Sequence, residues 1–132
     1  MTTKAYKILL VEDDDNIRDI LCEILKDEGY EVVPSVDGQE ATEILQEKSF
    51  DLLISDFRMP RMDGAELLEW CRKHKIHFPV IFITANANLM PSENLALNDC
   101  CAALLPKPID IEQLMAAIED AKNRDHDRNC KQ

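Results

Sequence analysis

Five residues in four separate stretches of the chain have side chains suited to holding a cation and receiving a charged group: Glu12 and Asp13, Asp56, Thr84, and Lys107. Three carboxylates gathered at one place cannot stand alone. Two like charges ~4 Å apart repel by ~1 kcal/mol in water and ~4 kcal/mol at an effective dielectric near 20. Such a site takes up protons or binds a cation. Oxygen-only donors select a hard ion, Mg2+ or Mn2+, which keeps waters and phosphate oxygens in its shell. Three carboxylates, one such ion and the ammonium of Lys107 sum to zero, a resting state suited to accepting a phosphoryl group.

Whether these residues meet depends on the elements that carry them. Ile8-Leu9-Leu10-Val11 is a short apolar run, and Ile17, Ile20, Leu21, Ile24 and Leu25 follow at the spacing of one helix face. That helix is predicted to start near Asp14 or Asp15 and to stop at Gly29, which suits a left-handed cap. The alternation repeats along the chain. Strands are expected at Tyr30–Val33, Leu52–Ser55, Val80–Thr84 and Ala102–Leu105. The helices between and after them carry Ala41, Ile44 and Leu45, then Leu67, Leu68 and Cys71, a weaker helix over residues 92–99, and finally Ile111, Leu114, Met115 and Ile118.

Five strand–helix units predict an α/β fold with a doubly wound, five-stranded parallel sheet and helices on both faces. Strands one, three and four are apolar on both faces, as central strands are. Pro34 and Pro106 fall in or at the end of strands two and five, which assigns those strands to the edges, and Pro79 stands at the first position of strand four. The flavodoxin-like order 2-1-3-4-5 satisfies these placements. In such sheets ligands bind beyond the carboxyl ends of the strands. Glu12-Asp13, Asp56, Thr84 and Lys107 all sit at those ends.

Composition narrows the classes further. The 132 residues suit one domain, and 45% hydrophobic with 31% charged residues is the balance of a globular protein. A formal net charge of −11 opposes direct nucleic-acid binding. No apolar run approaches the ~20 residues of a membrane span, and the apolar stretch before Glu12 is too short for a signal peptide, so a cytoplasmic location is expected. Five cysteines without a C-x-x-C pair predict reduced thiols rather than a disulfide framework or zinc site. His74, His77 and His126 show no ligand spacing, and Trp70 reads as packing.

Val11-Glu12-Asp13-Asp14, Asp56 through Gly64 (DFRMPRMDG), Phe82-Ile83-Thr84-Ala85 and Leu105-Pro106-Lys107-Pro108 resemble, in order and spacing, the four signature segments of response-regulator receiver domains. The resemblance runs from about Lys7 to Lys122, with the domain taken as residues 5–124 and a polar tail, expected to fray, as 125–132. It implies a phospho-accepting switch of a two-component phosphorelay rather than an enzyme, with slow self-dephosphorylation. Asp56 would be the phospho-acceptor. Asp13, Glu12, Asp56 and the main-chain carbonyl of Arg58 would hold Mg2+. Thr84 and Lys107 would contact phosphoryl oxygens, with Ala85 leaving room and the Lys107–Pro108 peptide cis. The partners implied are a sensor histidine kinase or histidine phosphotransfer protein and a downstream protein effector. The face of the fourth helix, fifth strand and fifth helix would take a partner or a second copy.

The chain departs from the family in two places. Leu104 stands where receivers usually carry Tyr, Phe or His, and Cys100-Cys101 replaces a usual Gly-Ala pair. Leu104 keeps open a receiver-like interaction module working without phosphorylation, against which the intact Asp56, Asp13 and Lys107 argue. An aspartyl phosphatase of the dehalogenase type would need a second Asp two residues after the nucleophile, where Arg58 stands.

Overall fold

The computed structural model describes residues 5–57, 64–76, 78–84 and 102–127. Along them run β1 (Lys7–Val11), α1 (Asp15–Asp27), β2 (Glu31–Ser35), α2 (Gly38–Glu47), β3 (Leu52–Asp56), α3 (Gly64–Lys73), β4 (Val80–Thr84), β5 (Ala102–Pro106) and α4 (Ile111–Asp127). All pairings are parallel, and the strand order is β2-β1-β3-β4-β5, as the prolines predict. Pro34 lies within the edge strand β2 and Pro106 ends the other edge strand, so neither removes a central ladder bond. Pro79 stands one residue before β4, and its carbonyl accepts the N–H of Leu53 at 3.1 Å.

The continuous apolar runs are explained by two-sided burial. Side chains alternate across a strand, so Ile8, Leu10, Leu52, Ile54, Ile81 and Ile83 pack on one face with Leu21 and Leu25 of α1 and Leu114 and Ile118 of α4. Leu9, Val11, Leu53, Val80 and Phe82 pack on the other face with Ala41 and Leu45 of α2 and Leu67 and Cys71 of α3. Trp70 is half-buried against this second group, and its ring stacks on His74 at 4.0 Å.

Local chemistry starts the helices. The Asp14 carboxylate accepts from the N–H groups of Asn16 at 2.9 Å and Ile17 at 3.1 Å, satisfying donors that a helix start leaves unpaired. Asp37 caps α2 by accepting from the Glu40 N–H at 2.8 Å, while the Glu40 carboxylate reaches back to the Val36 N–H at 2.8 Å.

Helices α1 and α3 end alike but with different residues. In α1 the N–H groups of Gly29 and Tyr30 reach the carbonyls of Lys26 and Leu25; in α3 those of Lys75 and Ile76 reach Arg72 and Cys71. Both are Schellman closures needing a left-handed residue. Gly29 supplies it at φ 97°, whereas Lys75 adopts φ 60° with a side chain that disfavours it. Lys75→Gly is therefore expected to raise stability by about 1 kcal/mol, seen as a higher urea midpoint at unchanged slope.

Helix α4 continues through Asp127, past Lys122 and into the polar segment expected to fray. Residues 123–127 contain no Gly or Pro, and a helix already nucleated propagates through polar residues. The weaker helix predicted over 92–99, the Cys100-Cys101 pair, and the loop 58–63 with Arg58 lie outside the described residues, as does Ala85. Among the described residues no helix is long and apolar enough to cross a membrane.

Candidate functional site

The register aligns the carboxyl ends of the strands. Val11 pairs with Ser35 and Ser55, Asp56 with Ile83, and Thr84 with Pro106. Each ladder then extends by one bond into the loop that bears a functional residue. Glu12 N–H donates to Ser35 O at 3.0 Å, Phe57 N–H to Ile83 O at 2.9 Å, and Lys107 N–H to Thr84 O at 2.9 Å. The sheet thus fixes the backbone at or beside Glu12, Asp56 and Lys107 before any side chain is considered.

Glu12, Asp13 and Asp56 each bring a carboxylate oxygen to a common point, all within 4.8 Å of one another. Glu12 is 1% and Asp56 6% exposed, while Asp13 stands open to solvent. The Lys107 ammonium lies 3.2 Å from Asp56 Oδ1 and 3.9 Å from Glu12 Oε1, and the Lys107–Pro108 peptide is cis. Thr84 is buried at the end of β4, where its main chain is tied to Lys107. The four charged residues expected at the site therefore converge, with Thr84 on the adjoining strand end. The Arg58 carbonyl falls outside the described residues.

One ammonium does not balance three carboxylates. Burial pushes Glu12 up to about 7, and the charges of Asp56 and Asp13 add to that; the Asp14 N–H, donating to Glu12 Oε2 at 3.1 Å, and Lys107 oppose it. Burial likewise raises the Asp56 carboxyl, against the pull of Lys107 and with the push of Asp13. Desolvated like charges favour uptake of a proton or a cation. The donor set fits a hard divalent ion: every side-chain ligand is oxygen, the group is compact, and exposed Asp13 leaves one side open.

Sequence patterning does not single out Arg18. Its guanidinium, from the first turn of α1, donates to the main-chain carbonyl of Glu12 at 2.8 Å and pairs with Asp15. The one available signal is a cation placed where the helix dipole disfavours it.

A five-stranded parallel sheet in this order, with an acidic cluster and a lysine at its carboxyl edge, defines a receiver-type domain. The response regulator receiver domain family matches residues 8–119, and the chain belongs to that family. It is similar to the transcriptional regulatory protein GlrR of Escherichia coli K12, 37% identical over 121 residues that cover 92% of this chain and 27% of GlrR. The chain thus spans about a quarter of that relative. Among solved structures, the receiver domain of the hybrid histidine kinase CckA is 37% identical with a TM-score of 0.73, covering 87% of this chain and 97% of that one. The response regulator TrrA of Thermotoga maritima, in complex with Mg2+ and BeF, is 31% identical with a TM-score of 0.75, covering 88% and 98%.

Proposed function

We propose that this chain is the phospho-accepting switch of a two-component phosphorelay, taking its phosphoryl group on Asp56 from a sensor histidine kinase or histidine phosphotransfer protein. The observation that carries the reading is the contact of Lys107 with Asp56 at 3.2 Å inside the group formed with Glu12 and Asp13. An Asp56 oxygen attacks phosphorus, the bond from phosphorus to the donor's imidazole nitrogen breaks, and an acyl phosphate forms. Asp13 and Asp56 would hold Mg2+ directly, with Glu12 supporting and the Arg58 carbonyl completing the set. When bound, the ion neutralises the carboxylates and the phosphoryl oxygens.

Lys107 pairs with a phosphoryl oxygen and Thr84 donates a hydrogen bond to another, so the chain's own share of the chemistry is positioning and charge stabilisation. The product is a signal rather than a released compound, which makes this a switch with slow self-dephosphorylation. A downstream protein effector reads it, and the net charge of −11 disfavours direct contact with nucleic acid.

One observation favours a second reading. Leu104, where receivers usually carry an aromatic ring, is half-buried against the cluster containing Phe82, with which it is in register. An interaction module working without phosphorylation would need no ring there. Incubation with Mg2+ and a small phosphodonor separates the two. One phosphoryl mass addition, absent when the metal is chelated, is the expected result; no addition in a folded protein favours the interaction module.

A further inference from the structure

Glu12 is held at every polar group. Its N–H donates to Ser35 O at 3.0 Å, its Oε2 accepts from the Asp14 N–H at 3.1 Å, its Oε1 lies 3.9 Å from Lys107 Nζ, and its carbonyl accepts from Arg18 at 2.8 Å. Three of these partners belong to the strand ends or to the loop itself. Arg18 alone reaches in from a helix face, and its side chain is only 14% exposed. It sits in the first turn of α1, where a cation opposes the helix dipole, and Asp15 offsets that charge. A guanidinium has a fixed fork of donors, so one group can grip the Glu12 carbonyl and the Asp15 carboxylate together.

We propose that Arg18 is a positioning residue for the cation site: by clamping the Glu12 carbonyl to α1 it sets the loop from Glu12 to Asp14 in the one course that turns the Glu12 and Asp13 carboxylates toward Asp56. It acts on the metal through these two residues and touches neither the ion nor the phosphoryl group. The inference rests on the function proposed above for its consequence, but the clamp itself exists without metal. Removing such a supporting hydrogen bond weakens metal affinity about tenfold or more in comparable sites.

The test compares wild type, Arg18→Ala and Arg18→Lys. Amide hydrogen exchange is measured on the metal-free proteins, and Mg2+ alone is titrated calorimetrically. In Arg18→Ala the Asp14 amide, which reports the Glu12 carboxylate, is expected to exchange about tenfold faster while the amides of Leu53 and Ile54 stay unchanged. Mg2+ should bind about tenfold more weakly. Arg18→Lys keeps one donor and should fall between; it is the variant to read if Arg18→Ala does not fold. Unchanged Asp14 exchange and unchanged Mg2+ affinity in a folded variant overturn the proposal, as does a loss confined to thermal stability. A wild type that takes up no Mg2+ would instead defeat the function proposed above, and Asp14 exchange would then decide on Arg18 by itself.

Discussion

Glu12→Gln is expected to stabilise the metal-free protein at pH 8 by up to about 3 kcal/mol, and to change it little near pH 4. The sign follows from linkage. The Glu12 carboxyl titrates at about 7 in the folded chain against 4.5 for a free one. The folded state therefore binds more protons than the unfolded state between those values, and stability falls as pH rises through that window. Above it the full cost of a buried, charged Glu12 is present, at about 1.4 kcal/mol for each pH unit that separates the two values. Gln keeps an acceptor for the Asp14 N–H but carries no charge. The difference between wild type and variant in urea midpoints, followed from pH 4 to 8, isolates Glu12 from the other acidic groups. Mg2+ should largely cancel that difference at pH 8, because a ligand at about 100 times its dissociation constant stabilises the folded protein by about 2.7 kcal/mol.

Asp56→Asn is expected to abolish phosphoryl addition from the small phosphodonor completely. It removes the nucleophilic oxygen, and the amide has no charge to pair with Lys107 at the wild-type contact of 3.2 Å. Its effect on stability runs the other way. Asp56 is buried and its carboxyl is raised despite Lys107, so the charged form is unfavourable in the folded, metal-free chain. At pH 8 without Mg2+ the Asn variant should melt above wild type. A variant that loses phosphorylation while gaining stability points to a charge kept for chemistry. One that loses both points to a role for Asp56 in folding, and addition that survives the substitution moves the acceptor elsewhere. Intact mass after incubation and a thermal melt distinguish these outcomes.

How much of this is legible in the sequence depends on the kind of constraint. Pro34 and Pro106 give away the edges of the sheet because a missing N–H is a local, covalent fact. The runs at Ile8–Val11, Leu52–Ser55 and Val80–Thr84 give away the centre because burial on both faces leaves no polar alternation to see. Once the order is known, the strand ends predict which charged residues meet, and Glu12, Asp13, Asp56 and Lys107 do.

What stays hidden is conformation carried by single residues. Lys75 takes a left-handed turn that lysine does not advertise, because the Cys71 and Arg72 carbonyls and the apolar seat of Ile76 impose it. The end of α4 is hard to place because the polarity after Lys122 suggests fraying, although nothing in residues 123–127 breaks a helix. Arg18 escapes notice because, on a helix, a cation three residues after Asp15 looks like an ordinary surface pair; only coordinates reveal that its other donor reaches the Glu12 carbonyl.

Locating the cation tests the central claim most directly. Crystals soaked in Mn2+ and measured for anomalous scattering should show a single strong peak bounded by Glu12, Asp13 and Asp56, in coordinating contact with Asp13 and Asp56, with Lys107 still beside Asp56. A peak elsewhere, or none at a Mn2+ concentration that saturates the protein in solution, would contradict the account.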